Sequence, residues 1–143
     1  MPNPGPASQV SIHPSGLATN QALRVIAVQK GVNLANLGDV TVPVLNSSAY
    51  APATVVLANA NASGSAVSSI SSVYLGVYSA PAKGGTAVLT AAALSSNTTT
   101  TAVTATAAST VNLAISSPNL YVNIATATAT GTVDVYVYGY DLS

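Results

Sequence analysis

Short runs of Val, Thr, Ile and Tyr alternate along this chain with clusters of Gly, Pro, Asn and Ser, and this order constrains the fold more than any other feature. The first group favours extended strands, and the second favours tight turns. Candidate strands recur at spacings of about 8–12 residues, which is typical of antiparallel sandwiches and barrels. They cover residues 40–45, 54–60, 67–78, 86–92, 99–106, 110–115, 120–125 and 132–140. The pattern predicts an all-β fold, an antiparallel β-sandwich with a jelly-roll-like arrangement.

Alternation within two of these strands predicts which face enters the core, because successive side chains of a strand point to opposite sides. In residues 132–140 the apolar face carries Val133, Val135 and Val137, and the opposite face carries Tyr136, Tyr138 and Tyr140. The segment 67–78 places Val73, Leu75 and Val77 opposite Tyr74, Gly76 and Tyr78. Two interpretations of the tyrosines stay open: half-buried residues in cross-strand pairs, or an interface stripe that buries a large area at low entropic cost.

Proline dominates the start of the chain, where Pro2, Pro4, Pro6 and Pro14 precede Gly16. Proline fixes its own φ and biases the preceding residue towards extended conformations. We expect residues 1–36 to form an extended N-terminal arm with one possible short strand or helix at 21–30, and residues 37–143 to form the β-sandwich module. The arm is either disordered on its own or ordered by a partner. Further along, Pro43 marks its strand as an edge strand or a bulge.

Charged side chains are scarce: the 143 residues include three Lys or Arg, three Asp or Glu, one His and no Cys. Paired-carboxylate catalysis needs two neighbouring acids, whereas Asp39, Asp134 and Asp141 lie on separate elements. His13 lies in the Pro-rich arm, where nothing in the sequence holds an imidazole against a nucleophile. We therefore expect no enzyme activity, no catalytic residue, no metal site and no cofactor. Asp134 is predicted to accept hydrogen bonds from neighbouring hydroxyl groups.

The same scarcity of charge limits the kinds of partner that the chain is expected to bind. Arg24, Lys30 and Lys83 do not form a basic patch, so we expect no nucleic-acid binding. The sequence has no uninterrupted apolar run of about 18 residues and no secretory signal at its start, so we expect no membrane insertion and synthesis in the host cytoplasm. A neutral surface rich in Ser, Thr and Asn resists association little, which favours a homo-oligomer.

Three stretches of the chain, PAKGGTA at 81–87, LYVNIATA at 120–127 and GTVDVYVYG at 131–139, carry a resemblance to a known group of proteins. In texture and strand order the chain resembles, from about residue 37 to 143, the decoration or cement proteins of tailed bacteriophages. The resemblance implies a jelly-roll-like module, usually oligomeric, that lies over junctions between major capsid protein subunits on the outer surface of the virion. It also implies an extended terminus that reaches a neighbouring subunit, and it brings no catalytic residues.

The resemblance, which the Pro-rich start and the uncharged surface would suit, implies a structural virion protein that stabilises contacts between major capsid protein subunits of a phage head. From symmetry alone we expect a homotrimer first and a dimer second. The residues predicted to make the interface are Pro2, Pro4, Pro6, Val10, Ile12, Arg24, Tyr136, Tyr138 and Tyr140. The alternative is an adhesin-, fibre- or ice-binding-like β module that recognises a ligand through its Thr and Tyr faces, such as the Thr104/Thr106 run.

Overall fold

A computed structural model describes residues 23–61, 72–94, 104–107, 114–127 and 131–143 of the chain. These ranges contain eight strands and no α-helix: β1 (Arg24–Asn33), β2 (Gly38–Pro43), β3 (Tyr50–Asn61), β4 (Tyr74–Ala80), β5 (Gly84–Ala93), β6 (Thr104–Ala107), β7 (Asn119–Thr126) and β8 (Thr132–Asp141). All observed pairings are antiparallel. The predicted all-β fold of antiparallel strands is therefore confirmed.

The strands form two four-stranded sheets. Sheet A has the order β1-β8-β3-β6, and sheet B has the order β2-β7-β4-β5. The pairings are nested: β1 pairs with β8, β2 with β7, β3 with β6 and β4 with β5. Two further pairings, β3 with β8 and β4 with β7, complete the sheets. Each of these four nested pairs joins a strand from the first half of the strand order to one from the second half.

One continuous apolar core lies between the sheets, because strands of both sheets turn apolar side chains inwards. On β8 the predicted inward residues Val133, Val135 and Val137 are all buried. Sheet B supplies the matching residues Leu75, Val77, Leu120, Val122 and Ile124, which are also buried. At about 1.5–3 kcal/mol for each fully buried large aliphatic side chain, this layer is the main favourable contribution to folding.

Residues 24–33, which the sequence assigned to the arm with a possible short strand or helix at 21–30, form a full strand of the sandwich. β1 hydrogen-bonds along β8 from Arg24, opposite Gly139, to Asn33, opposite Thr132. Any arm is therefore confined to residues before Arg24. The predicted interface residues Pro2, Pro4, Pro6, Val10 and Ile12 lie outside the described residues.

Prolines occupy the two places where a strand tolerates them. Pro43 ends β2, which is an edge strand of sheet B, as predicted. Directly after it the chain crosses between the sheets: the Val44 N–H donates to the Pro118 carbonyl, and the Leu45 N–H donates to the Ile26 carbonyl. Pro52 lies within β3 next to a register shift between Pro52 and Thr54, and the described pairing of β3 with β6 begins only at Thr54.

Some predicted boundaries differ from the observed ones. β3 begins at Tyr50, four residues before the predicted start at Thr54, because the bulge carries the strand through Pro52. Of the predicted strands at 67–78, 99–106 and 110–115, residues 67–71, 99–103 and 110–113 lie outside the described residues. Ile115 forms an isolated bridge with Tyr50 rather than part of a strand. Among the described residues no helix is long and apolar enough to cross a membrane.

Candidate interaction surfaces

The outer face of sheet A carries the predicted tyrosine stripe at its centre. β8 lies between β1 and β3, so Tyr136 and Tyr138 each have one neighbour on either side. Tyr138 lies opposite Val25 of β1 and Thr54 of β3, and Tyr136 lies opposite Val28 and Val56. We call this surface the tyrosine face and define it by these two rows: Val25-Tyr138-Thr54 and Val28-Tyr136-Val56.

All six side chains of the tyrosine face are half-buried. The face is therefore partly covered by its own cross-strand neighbours and still presents aromatic and aliphatic surface to the outside. Opposed aromatic and β-branched side chains stabilise a sheet by about 0.2–1 kcal/mol per pair. The geometry fits both interpretations of the tyrosines, the cross-strand pair and the contact surface.

Asp134 anchors one end of the tyrosine face by bridging two bulges. Its Oδ1 accepts a hydrogen bond from the Gly31 N–H at 2.7 Å, and its Oδ2 accepts one from the Asn59 side-chain amide at 2.8 Å. Gly31 lies at a register shift of β1, and Asn59 lies at a register shift of β3. Both residues have positive φ, 64° and 52°. The predicted hydroxyl donors of Asp134 are wrong: both donors are N–H groups, which the bulges turn towards the carboxylate.

The other end of β8 holds the ion pair between Arg24 and Asp141, whose Nη1 and Oδ2 atoms are 2.8 Å apart. The second oxygen of Asp141 accepts hydrogen bonds from the Ser47 hydroxyl and from the N–H and hydroxyl of Ser143. These bonds, the ones from Ser143 first and the Arg24 charge last, lower the pKa of Asp141 to about 2. Arg24, predicted as an interface residue, therefore ties the first strand to the end of the last one.

Arg24 also fixes the segment between β2 and β3. Its Nη2 donates to the carbonyl oxygens of Leu45 at 2.9 Å and Asn46 at 3.3 Å. Four exposed apolar residues adjoin Arg24, its partners or its pairing partner along the chain. We call them the leucine patch and define it as Leu23, Leu45, Tyr140 and Leu142. The predicted interface residue Tyr140 thus belongs to this patch, with 38% of its surface exposed.

Sheet B presents a different outer face. Tyr78 and Tyr121 lie opposite each other on β4 and β7. Tyr78 is buried, although Tyr74 on the same predicted face is 45% exposed. The third carboxylate, Asp39, accepts hydrogen bonds from the Ala82 N–H and the Asn123 side-chain amide, both at 2.6 Å. The Oδ1 atom of buried Asn123 has no hydrogen-bond partner among the residues that the structure describes.

Sequence reasoning missed Tyr50, the largest fully buried side chain of the described residues. Its hydroxyl donates to the Ser117 carbonyl at 3.1 Å, and its backbone pairs with Ile115. Burial raises the pKa of the Tyr50 hydroxyl to about 12. No local signal separates it from the outward tyrosines, because the partner carbonyl is 67 residues away.

All three carboxylates act as structural hydrogen-bond acceptors that connect distant parts of the chain. In the described ranges no three His, Cys, Asp or Glu side chains form a group suited to a metal ion. The arrangement offers surfaces for contact: an apolar, aromatic sheet face and an apolar patch at one end. Compared with known proteins, the chain matches no family model, no curated protein and no solved structure.

Proposed function

We propose that this chain is a structural virion protein, a capsid decoration or cement protein of a tailed-phage head. The observation that carries the proposal is the nested pairing of eight strands in two sheets. We infer that this nesting is the jelly-roll wrapping of a long hairpin, an architecture that viral capsid proteins use repeatedly. Because an architecture hosts many functions, the contact surfaces must carry the rest of the argument.

The tyrosine face supports a role in protein contacts. Aromatic side chains are enriched at the centres of interfaces, and Tyr buries a large area with only two side-chain torsions to fix. Tyr136 and Tyr138 are held in place by valines and a threonine on both neighbouring strands. Both carboxylate oxygens of Asp134 already accept hydrogen bonds within the module, so neither loses its partner when another protein covers the face.

The proposed mechanism is mechanical. Many copies on the outer surface of the capsid each bury a modest area across junctions between major capsid protein subunits, and multivalency adds these contacts into a large stabilisation. A homotrimer suits a three-fold junction, and a dimer suits a two-fold junction. Residues 1–23, which precede β1, serve as the arm to a neighbouring subunit. The protein is made in the host cytoplasm, and it binds neither nucleic acid nor membranes.

The decisive experiment counts this chain in purified particles by quantitative mass spectrometry. A copy number comparable to that of the major shell protein is the expected result. A few copies per particle overturn the head role and favour a tail or fibre protein. Absence from particles overturns the virion role altogether and favours an adhesin-like module.

A second experiment tests the contact surface on particles that carry the protein. Replacing Tyr136 and Tyr138 with Thr keeps strand propensity and removes the aromatic surface. We expect weaker retention on particles than for the matched control Tyr74→Thr, which alters an exposed tyrosine of sheet B. Equal retention of both variants contradicts the role of the tyrosine face. Deleting residues 1–16 is also expected to weaken retention while the sandwich stays folded, and unchanged retention rejects the arm.

A further inference from the structure

The turn between β4 and β5 adopts a backbone conformation that its sequence does not favour. The Gly84 N–H donates to the Pro81 carbonyl at 3.0 Å, and the two central residues, Ala82 and Lys83, have positive φ of 55° and 61°. Positive φ at both central positions is the mark of a type I′ turn, which favours Asn-Gly or Gly-Gly there. Ala and Lys each carry a Cβ atom that crowds the backbone in this region, so the turn is strained.

A carboxylate from a strand that is not adjacent to this hairpin holds the turn. The Asp39 Oδ2 atom accepts a hydrogen bond from the Ala82 N–H at 2.6 Å. Asp39 belongs to β2, and β7 lies between β2 and β4 in sheet B. Asp39 is exposed and alternates with Val40 and Val42, which pack against the core, so its side chain lies on the outer face. The turn therefore reaches across β7 on the outside of sheet B.

Asn123 is the outward-facing residue of β7 beside this contact. It alternates with the buried Val122 and Ile124, yet only 6% of its own surface is exposed. In the sheet it lies between the exposed Asp39 and Gly76, which has no side chain. Its Nδ2 donates to Asp39 Oδ1 at 2.6 Å, whereas its Oδ1 finds no donor in the described part of the chain. A buried acceptor without a donor is unfavourable.

We propose that residues 81–84 form a strap that opens and closes over β7, and that Asp39 holds it closed. The closed state contains two unfavourable features, the strained turn and the unpaired Asn123 oxygen. Opening relieves both, because Ala82 and Lys83 leave the left-handed region and water reaches Asn123. Opening gives up the hydrogen bond between Ala82 and Asp39, while the apolar core stays buried. The strap therefore opens at a much lower free energy than the sandwich unfolds.

This inference goes beyond the proposed function and does not depend on it. It makes the two outer faces of the sandwich different in kind. The tyrosine face of sheet A consists of strand residues that are fixed by the pairing on both sides, whereas sheet B carries a cover that moves. The strap is a property of the free protein, so it is testable without particles.

Hydrogen exchange of the full chain, followed by NMR, tests the strap. The two reporters are the Ala82 backbone N–H and the Asn123 side-chain amide, which donate to different oxygens of Asp39. The reference is the backbone N–H of Val122, in the middle of β7. We expect both reporters to exchange faster than the reference and at rates that low urea leaves unchanged, because local opening exposes little surface. Exchange of the reporters only through global unfolding overturns the proposal.

Lys83→Gly tests whether the strained turn controls the cover over Asn123. Glycine adopts positive φ without strain, so the closed state gains, and we expect exchange of both reporters to slow by about three- to tenfold. The matched control Lys83→Ala removes the same charge but keeps the Cβ atom, and it leaves both rates unchanged. If only the Ala82 rate falls, the turn does not cover Asn123 and the strap is rejected. If neither rate falls, strain does not govern the opening and the proposal fails as well.

Asp39→Ala tests what holds the strap closed. Loss of the acceptor is expected to accelerate exchange of the Ala82 N–H by about three- to tenfold. Adding Lys83→Gly to Asp39→Ala is expected to slow it again, because the turn then closes with less strain. The control Thr41→Ala changes the next exposed residue of β2 and leaves the rate as it is. Equal rates in Asp39→Ala and Thr41→Ala contradict the role of Asp39.

Discussion

The side chain of Tyr78 fills the space that a Cβ atom on Gly76 would need. A Cβ placed on Gly76 lies 2.7 Å from Cε2 and 2.9 Å from the hydroxyl oxygen of Tyr78. That hydroxyl oxygen accepts a hydrogen bond from the Ala91 N–H at 3.2 Å, so the ring is tied across β4 to β5. The glycine explains how an outward tyrosine of sheet B becomes buried.

Gly76→Ala is therefore expected to displace the ring and lower the free energy of unfolding by about 1–3 kcal/mol, the usual cost of overpacking. Urea denaturation measures the change. In a Tyr78→Leu background the same alanine substitution is expected to cost much less. An equal cost in both backgrounds contradicts the contact.

Asp134 connects two bulges, and its removal is expected to loosen both. Asp134→Ala deprives the Gly31 N–H and the Asn59 amide of their acceptor. Both sites are exposed and water replaces the carboxylate, so we expect a loss of about 1 kcal/mol in the free energy of unfolding. Hydrogen exchange of the Gly31 amide is the specific measurement and should accelerate. Thr132→Ala, on the same face of β8, is the control; similar acceleration there rejects the bridge.

The Asp141 carboxyl predicts how the protein responds to acid. Its pKa is lowered to about 2 in the folded chain from an ordinary value of 3.8, first by hydrogen bonds from Ser143. A lowered pKa contributes stability above pH 3.8 that is lost as the pH falls through about 2. Asp141→Asn is expected to reduce the dependence of the free energy of unfolding on pH between pH 3.8 and about pH 2.

The order of the causes gives a sharper test. Ser143→Ala is expected to raise the pKa of Asp141 more than Arg24→Gln does, because the charge of Arg24 is the smallest cause. Carbon NMR of the Asp carboxyl groups during an acid titration measures both shifts. If Arg24→Gln raises the pKa of Asp141 more than Ser143→Ala does, the charge of Arg24 is the larger cause and this order is wrong.

Tyr50 predicts the response to alkali. Burial raises the pKa of its hydroxyl from 10.0 to about 12, so the folded chain holds this proton more tightly than the unfolded chain. The contribution of the Tyr50 hydroxyl to the free energy of unfolding is therefore fully present below pH 10. It decreases by about 1.4 kcal/mol per pH unit between pH 10 and pH 12. Tyr50→Phe is expected to remove that part of the slope, measured by denaturation at several pH values.

At neutral pH the same substitution costs about 1 kcal/mol, because the Ser117 carbonyl loses its donor. Tyr74→Phe, at an exposed site, is the matched control and keeps the alkaline slope. If both variants lose the same slope, the buried hydroxyl is not its source.

Local sequence pattern was sufficient for the all-β class and for the two faces of β8. Alternation placed Val133, Val135 and Val137 in the core and their tyrosine neighbours outside, because a strand has a period of two in every context. Turn chemistry placed the connection at 80–85, where Ala82 and Lys83 adopt positive φ. Pro43 correctly marked an edge strand.

The sequence did not predict which strands meet, because that depends on contacts between distant residues. The ion pair of Arg24 and Asp141 joins positions 117 residues apart. Asp134 finds its donors only because bulges in two other strands turn Gly31 and Asn59 towards it. The alternation predicted that Tyr78 points outwards, but the absence of a side chain on Gly76 leaves space in which its ring is buried. Pairing order, bulges and close approaches are tertiary properties, and local propensity does not encode them.

The position of β8 between β1 and β3 has a consequence for biosynthesis. Until the last strand leaves the ribosome, β1 has no hydrogen-bonded neighbour in sheet A, and β3 has an open edge. Closing this sheet requires contacts between the two ends of the described chain, which makes folding slow compared with that of a locally connected protein. A nascent or truncated chain without residues 132–141 exposes unpaired strand edges that chaperones and proteases recognise. Sheet A can therefore close only after residues 132–141 are available to pair with both β1 and β3.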